Sequence, residues 1–196
     1  MAAFSDLLDL RTAVIEQVGS PEIADIFPRL VTLAEARFNR ELRLRDQITE
    51  ATLTLASGTA ALPLDYLEMI GVYNAAGCEY VQQTLQQNKA MDGYYAISGG
   101  NLIRKGYSGD LLAQYYAAVP TITASMTASN WLLSKYPGIY LYGVAFEAAK
   151  SIRDKEMAAD MGGLMQGEIS EARADDERAR YSRARVRIAG VTRGVV

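Results

Sequence analysis

Apolar side chains recur every three or four positions in the first 45 residues, and this spacing predicts amphipathic helices. Ser5 can cap the first of them, and Gly19 ends it. Pro28 favours the start of a longer helix that ends near Leu42. The inner faces of the two helices hold Leu7, Leu10, Val14, Val18, Leu30, Leu33, Ala34 and Phe38.

The hydrophobic period changes to two between Asp46 and Ala118. In "ITEATLTLASG", apolar and polar residues alternate as they do in a half-buried strand. Gly99 and Gly100 mark the tip of a hairpin in "YYAISGGNLIRKG", and Pro120 closes a last strand. The segment "TLQQNKAMDG" predicts a short helix. The region as a whole predicts a meander of short antiparallel strands.

Helical spacing returns after Asn130. The segment "SKYPGIYLYGVAFEAAKSIRD" predicts a helix that begins at Pro137 and is apolar on nearly every side over its first two turns. A second helix is predicted over roughly Ala158 to Arg180, with a break or hinge at the glycine pair of "MGGLMQG". The segment "RARVRIAGVTRGVV" alternates Arg with Val or Ile, and it predicts an extended arm.

These elements predict an α+β fold that is mainly α: a helical bundle with an inserted small antiparallel β-domain and an extended C-terminal arm. Four units follow from the changes of period. We expect N-terminal helices of the bundle in residues 1–45, the inserted β-domain in 46–120, C-terminal helices of the same bundle in 121–182, and the arm in 183–196.

The sequence contains few of the side chains and motifs that enzymes use for catalysis. Histidine is absent, which removes the commonest general base and metal ligand. Cys78 is the only cysteine and follows no cation, so we interpret it as a structural thiol. No phosphate-binding glycine loop is present, and the carboxylates of "ADDER" point in different directions on a helix. We therefore expect no enzyme activity, no cofactor and no bound metal.

Charge and hydropathy narrow the choice of partners. The net charge of −3 argues against a protein whose main function is to bind nucleic acid, because phosphate binding requires a basic surface. No run of eighteen apolar residues occurs, so we expect no membrane span. The first residues, "MAAFSDLLDLRTAV", lack a basic start, and we do not expect them to be a signal peptide.

Several segments, in this order, resemble the head-to-tail adaptor (connector) proteins of tailed bacteriophages. They are "LAEARFNREL", "LPLDY", "YYAAVP" and "NWLLSKYPGIYLYGVAFEAA", and the last is the most specific. The resemblance extends from about Phe27 to Arg180. The first 26 residues and the arginine-rich end lie outside it.

The resemblance implies a structural virion protein. Adaptors of this kind form a ring, usually of twelve subunits, that binds beneath the portal protein, joins it to tail or nozzle proteins, and lets DNA pass through its lumen without sequence-specific binding. The implied location is the head–tail interface of the virion, after synthesis in the host cytoplasm. Two alternatives remain open: a nucleic-acid-binding packaging subunit that uses the arginines, and a small enzyme or regulator with an unrecognised site.

A ring suggests why the helix after Pro137 has so much apolar surface. We expect Leu141, Ala145, Ala148 and Ile152 to face the core of the subunit itself. Tyr140, Tyr142 and Val144 lie off that stripe, and we expect them to contact a neighbouring subunit. In that case, Tyr140→Ala weakens assembly more than folding. The alternative is that the inserted sheet covers them within one chain.

Charged residues give two further candidate interfaces. Arg37, Arg40 and Arg43 project from one sector of the second helix, either as a solvated, self-paired face or, for Arg37 and Arg40, as a contact between subunits. The arm is expected to bind the portal, with its arginines meeting acidic groups. Its alternatives are a solubilising end and an arm that touches DNA in the lumen. The arm residues with a predicted role are Arg183, Arg185, Val186, Arg187, Ile188 and Arg193.

Overall fold

Five α-helices and seven β-strands make up the part of the chain that the computed structural model describes, residues 4–85 and 93–181. Helix accounts for 47% and strand for 24% of these residues. The helices are α1 (Leu7–Val18), α2 (Phe27–Glu41), α3 (Trp131–Lys135), α4 (Pro137–Ser151) and α5 (Lys155–Tyr181). The strands are β1 (Ile48–Leu55), β2 (Thr59–Ala61), β3 (Tyr66–Tyr73), β4 (Glu79–Gln82), β5 (Tyr94–Ser98), β6 (Asn101–Ile103) and β7 (Gly109–Ala117).

Local signals in the sequence set the ends of the helices. Asp6, and not the predicted Ser5, caps α1, because its carboxylate accepts hydrogen bonds at 3.0 Å from two backbone N–H groups of the first turn. Gly19 ends α1 in the left-handed conformation, with a φ of 67°. Pro28 and Pro137 lie in the first turns of α2 and α4, where a missing N–H group costs nothing.

Helix α4 is central, and each of the other four helices packs against it. Phe38 of α2 meets the ring of Tyr140 edge-on, with ring centroids 5.1 Å apart. Burial of each large apolar side chain here contributes about 1.5–3 kcal/mol. Buried residues of this helical core include Leu10, Val14, Phe27, Phe38, Tyr140, Val144, Met165 and Ile169.

Helix α5 is continuous, so the predicted hinge at Gly162-Gly163 is wrong. A Cβ added to Gly162 would lie 3.2 Å from the ring of Phe146, which means that this glycine lets α5 approach α4 closely. The chain bends earlier, where Arg153 adopts a φ of 63° between the two helices. Within the described ranges, none of the helices is both long and apolar enough to cross a membrane.

The seven strands form one sheet in the order β1-β7-β3-β4-β5-β6-β2. β1 pairs with β7 along its whole length, although the two strands are separated by most of the β-region. β4 and β5 pair in parallel, and the other pairs are antiparallel. The outermost strands, β1 and β2, follow each other in the chain and meet at a turn closed by Ala56 and Thr59. The sheet therefore closes almost into a barrel.

The barrel encloses a hydrophobic core of its own. Side chains on its inner face include Leu53, Leu55, Val72, Leu102, Leu111 and Ala113. Arg104 is also buried, and its guanidinium lies 4.6 Å from the ring centre of Tyr80 and 4.1 Å from that of Tyr107. Two aromatic faces thus stabilise the cation inside the barrel.

These findings overturn the predicted fold class of a helical bundle with a small inserted antiparallel β-domain, while the predicted arm lies outside the described residues. The sheet has seven strands, contains a parallel pair, and closes nearly on itself around a separate core. Alternation within each segment indicates which side chains face inward, but it does not indicate which strands pair. Pairing between neighbours in the chain was the expectation, and the long-range β1–β7 pairing replaces it.

Candidate interaction surfaces

Two of the predicted interface residues are buried in the core of the subunit. Tyr140 and Val144 are both 0% exposed. The Tyr140 hydroxyl donates a hydrogen bond to Glu35 at 3.0 Å and accepts one from Asn130 at 2.7 Å. Burial, with the neighbouring Glu35 carboxylate, raises the pKa of Tyr140 far above its ordinary value. Neither residue has surface to offer a neighbouring subunit.

The assignment of faces on α4 is therefore wrong. Ile152, expected in the core, is 39% exposed, and Leu141 is only partly buried, whereas Ala145 and Ala148 are buried as expected. An all-round apolar sequence does not define the rotation of a helix, because several stripes satisfy the same spacing. Tyr142 is half-buried, and its predicted contact with a neighbouring subunit stays a prediction.

Arg37 is held within the subunit. Its guanidinium lies 3.2 Å from the buried Glu147 carboxylate and 3.6 Å from Glu41, and it covers the ring of Phe146 at 4.6 Å. This arrangement agrees with the self-paired alternative for this arginine. Arg40 is exposed, so its role in a contact between subunits stays a prediction.

A buried carboxylate joins the helices to the barrel. Asp176 of α5, 6% exposed, accepts a hydrogen bond from the backbone N–H of Arg45 at 3.0 Å and another from the Arg180 guanidinium at 2.8 Å. Arg180 also donates to the hydroxyl of Tyr116 on β7 at 3.3 Å. The hydrogen bond to Tyr116 raises the pKa of Arg180.

Arg43, the third arginine of the predicted sector, belongs to the same junction. It donates to Glu68 of β3 at 2.7 Å and to the backbone carbonyl of Asn39 at 3.0 Å. The structure describes α5 as far as Tyr181, and Arg180, near that point, contacts β7. Arg183 and the other arm residues with predicted roles lie outside the described residues.

The exposed surface between α2 and α4 combines apolar and basic side chains. Ile26 and Leu33 are 38% and 44% exposed, and with Arg29 and Lys150 they line a groove of about 460 Å³. Lys150 also lines an adjoining hollow of about 350 Å³ at the bend between α4 and α5. We call this surface the basic patch: Ile26, Arg29, Leu33, Lys150, Ile152, Arg153 and Lys155.

Two carboxylates, those of Glu147 and Asp154, also line these hollows. Glu147 bonds to Arg37 and Lys150, and Asp154 accepts a hydrogen bond from the backbone N–H of Met157 at 2.9 Å. In the described part of the chain, the side chains of Arg29, Arg153 and Lys155 form no ion pair. The four cations that line the two hollows, Arg29, Lys150, Arg153 and Lys155, outnumber the two carboxylates, so the patch carries an excess of positive charge beside apolar surface.

The outer face of α1 has the opposite charge. We call Leu8, Asp9, Thr12 and Glu16 the acidic α1 face; all four are exposed and share one side of the helix. Leu8 is 49% exposed. Hydrogen bonds from Ser5 lower the pKa of Asp9 and keep its carboxylate charged.

The described residues hold no cluster of three or more His, Cys, Asp or Glu side chains that could bind a metal ion. Cys78 is exposed in the turn before β4 and does not fill a core position as a structural thiol would. Sequence reasoning overlooked the basic patch. Its detectable signal was the run Lys150, Arg153 and Lys155, which has one intervening acid, Asp154, at the end of an apolar helix.

Comparison with known proteins identifies the family of this chain. A scan against protein-family models matches residues 5–188 to the SU10 adaptor protein. A search of curated proteins found no matching relative. The match covers nearly the whole chain, including both the helical core and the barrel. The chain therefore belongs to the SU10 adaptor protein family, a family of structural adaptor proteins of bacteriophages.

Proposed function

We propose that this protein forms the head-to-tail adaptor ring of a phage virion, joins the portal to the tail, and encloses part of the DNA passage. The family match over residues 5–188 carries the proposal, because a phage adaptor is a virion component that contacts other structural proteins. The finer assignment to a ring beneath the portal follows the resemblance seen in the sequence.

The architecture of the subunit supports a mechanical role. Two contacts join the helices to the barrel: Arg180 of α5 donates to Tyr116 of β7, and Arg43 forms an ion pair with Glu68 of β3. Asp176 orients Arg180 by accepting a hydrogen bond from its guanidinium. These partly exposed contacts favour one relative position of the helices and the barrel. A stiff subunit suits a ring whose contacts repeat, since many weak contacts then act together.

The arm is proposed to attach the ring to the portal. Arg180, near the end of the described part of the chain, contacts Tyr116 of β7, and this supports an arm that starts next to the barrel. Its alternating arginine and aliphatic residues suit an extended segment that adds to a strand edge or lies in a groove between portal subunits. The arginines then meet acidic groups of the portal.

A phage with a disrupted gene for this chain tests the proposal. We expect this phage to produce heads that package DNA but then leak it or lack tails. Supplying the intact chain from a plasmid should restore tailed, infectious particles. Electron microscopy and particle counts provide the measurement. Tailed particles produced at wild-type yield without the protein would show that it does not join head and tail.

A further inference from the structure

We propose that the basic patch of one subunit binds the acidic α1 face of a second copy of this chain. The inference rests on the proposed ring and adds its subunit contact: Ile26, Arg29, Leu33 and Lys155 on one side, and Leu8, Thr12 and Glu16 on the other. The contact repeats head to tail until the ring closes.

The positions of the two surfaces fit a head-to-tail contact. A ring that closes by rotation uses two different surfaces of each subunit, whereas a two-fold dimer uses one surface twice. The acidic face belongs to α1 and the basic patch to α2, α4 and the start of α5. α1 and α2 each pack against α4, and the two surfaces have no residue in common.

The charges of the two surfaces are complementary. Arg29, Arg153 and Lys155 have no ion-pair partner among the described residues, and the cations that line the two hollows outnumber the carboxylates that line them. Glu16 is exposed and also lacks an ion pair in the described part of the chain. Opposed charges of this kind steer association and fix its register.

Exposed aliphatic side chains accompany the charges on both surfaces. Ile26, Leu33 and Ile152 on the basic patch are between 38% and 44% exposed, and Leu8 on the acidic face is 49% exposed. Protein interfaces combine a small apolar centre with a charged rim. Phosphate contacts of DNA gain nothing from aliphatic side chains, so these residues favour a protein partner over nucleic acid.

Charge reversal on each surface separately tests the contact. One variant carries Arg29→Glu and Lys155→Glu, and the other carries Thr12→Lys and Glu16→Lys. All four residues are exposed, and none forms an ion pair within the described residues, so both variants should fold. We expect each variant to lower the number of copies per particle about tenfold or more, because like charges then meet.

The variant with all four substitutions should restore occupancy to near the wild-type value, because the exchanged charges again attract. A matched control for the variant with Arg29→Glu and Lys155→Glu carries Lys105→Glu and Arg178→Glu, which likewise replace two cations by two carboxylates, at exposed positions outside both surfaces. This control should keep wild-type occupancy. Circular dichroism melts of all variants establish that they fold.

The outcomes separate this inference from the proposed function. Suppose that the wild-type chain occupies the head–tail junction but the variant with all four substitutions does not regain wild-type occupancy. The pairing of these two surfaces is then wrong, while the adaptor role stands. Wild-type occupancy in either charge-reversed variant also overturns the inference. If Arg29→Glu with Lys155→Glu abolishes salt-dependent DNA binding but leaves occupancy intact, the patch contacts nucleic acid instead.

Discussion

Tyr140 lies at the centre of the helical core, and its hydroxyl group forms hydrogen bonds with Glu35 and Asn130. Glu35 also accepts a hydrogen bond from the backbone N–H of Ile122 at 3.0 Å. The buried carboxylate thus connects α2, α4 and the segment that follows the barrel. A buried charge of this kind is tolerated only when its hydrogen bonds are made.

Tyr140→Ala should therefore destabilise the folded subunit by about 3–5 kcal/mol, because it leaves a large cavity beside Phe38. Tyr140→Phe keeps the ring but removes one partner of Glu35, and it should cost about 1–3 kcal/mol. Denaturant unfolding measures both changes. This expectation reverses the one drawn from the sequence, and an unchanged unfolding midpoint for Tyr140→Ala together with lost assembly would contradict it.

Gly58 shows how one residue closes the barrel. It has a φ of 82°, and an added Cβ would lie 2.6 Å from the carbonyl oxygen of Arg104. Its own carbonyl accepts a hydrogen bond from the backbone N–H of Arg104 at 2.8 Å. Only glycine fits this position, because both the backbone angle and the space exclude a side chain.

Gly58→Ala should destabilise the subunit by roughly 2–4 kcal/mol through the combined strain and steric clash. Gly77→Ala is the matched control, since Gly77 has a similar φ of 78° but no atom within 4 Å of an added Cβ. It should cost only about 1 kcal/mol. Equal shifts of the melting temperature in the two variants would show that the approach to Arg104 does not matter.

At the scale of elements, the junction between α5 and the barrel depends on Asp176. Its carboxylate is 6% exposed, and the side chains of its partners, Arg45 and Arg180, are 47% and 39% exposed. Solvent screens the two arginines in part, which lowers the strength of the pairs below that of a fully buried pair.

Asp176→Ala should cost about 1–3 kcal/mol and should increase amide hydrogen exchange at the end of α5. Asp175→Ala is the control at the neighbouring position, where the carboxylate is 57% exposed and pairs with the exposed Arg178. It should cost less than about 0.5 kcal/mol. A larger effect from Asp175→Ala would contradict the assigned role of the junction.

The sequence allowed the local structure to be predicted better than its assembly. Alternation in "ITEATLTLASG" predicted that Leu53 and Leu55 face inward while Thr52 and Thr54 face outward, and the burial of these residues confirms it. The pairing of Leu53 with Leu111 of β7 was not predictable, because strands with similar alternation offer many registers.

The candidate surfaces likewise depend on tertiary packing that the sequence does not reveal. Helix α4 was correctly predicted to begin at Pro137, but its apolar residues fit several rotations, and Tyr140 and Val144 were placed on the wrong side. The basic patch is formed by residues from α2, α4 and α5 that are more than a hundred positions apart. Only the packing of α2 against α4 brings Arg29 and Lys150 together.

At the scale of the whole molecule, we propose that the protein acts by assembling into a ring. We expect the isolated protein to be a monomer or small oligomer and the ring to form on the portal, because the chain carries a net charge of −3 and lacks a long heptad seam. Native mass spectrometry of the purified protein measures this. A stable ring without portal would contradict the expected order of assembly.

Deletion of residues 183–196 tests the arm. Among the described residues, the helical core extends to Ala172 and the barrel core to Ala113, and we expect the melting temperature to stay within roughly 2 °C of the wild-type value. Attachment to portal-bearing heads should be lost or strongly weakened. If the truncated protein joins such heads at wild-type occupancy, the docking surface lies on the folded body instead.

The most direct measurement is a cryo-electron microscopy reconstruction of the head–tail junction of the virion. We expect a closed ring of copies of this chain directly beneath the portal. Neighbouring subunits should be in contact, and DNA or an open channel should lie along the axis. Density that fits the α5 helix and the seven-stranded barrel in each ring position would support it. A junction built from a different protein, with this chain absent or located elsewhere in the particle, would contradict it.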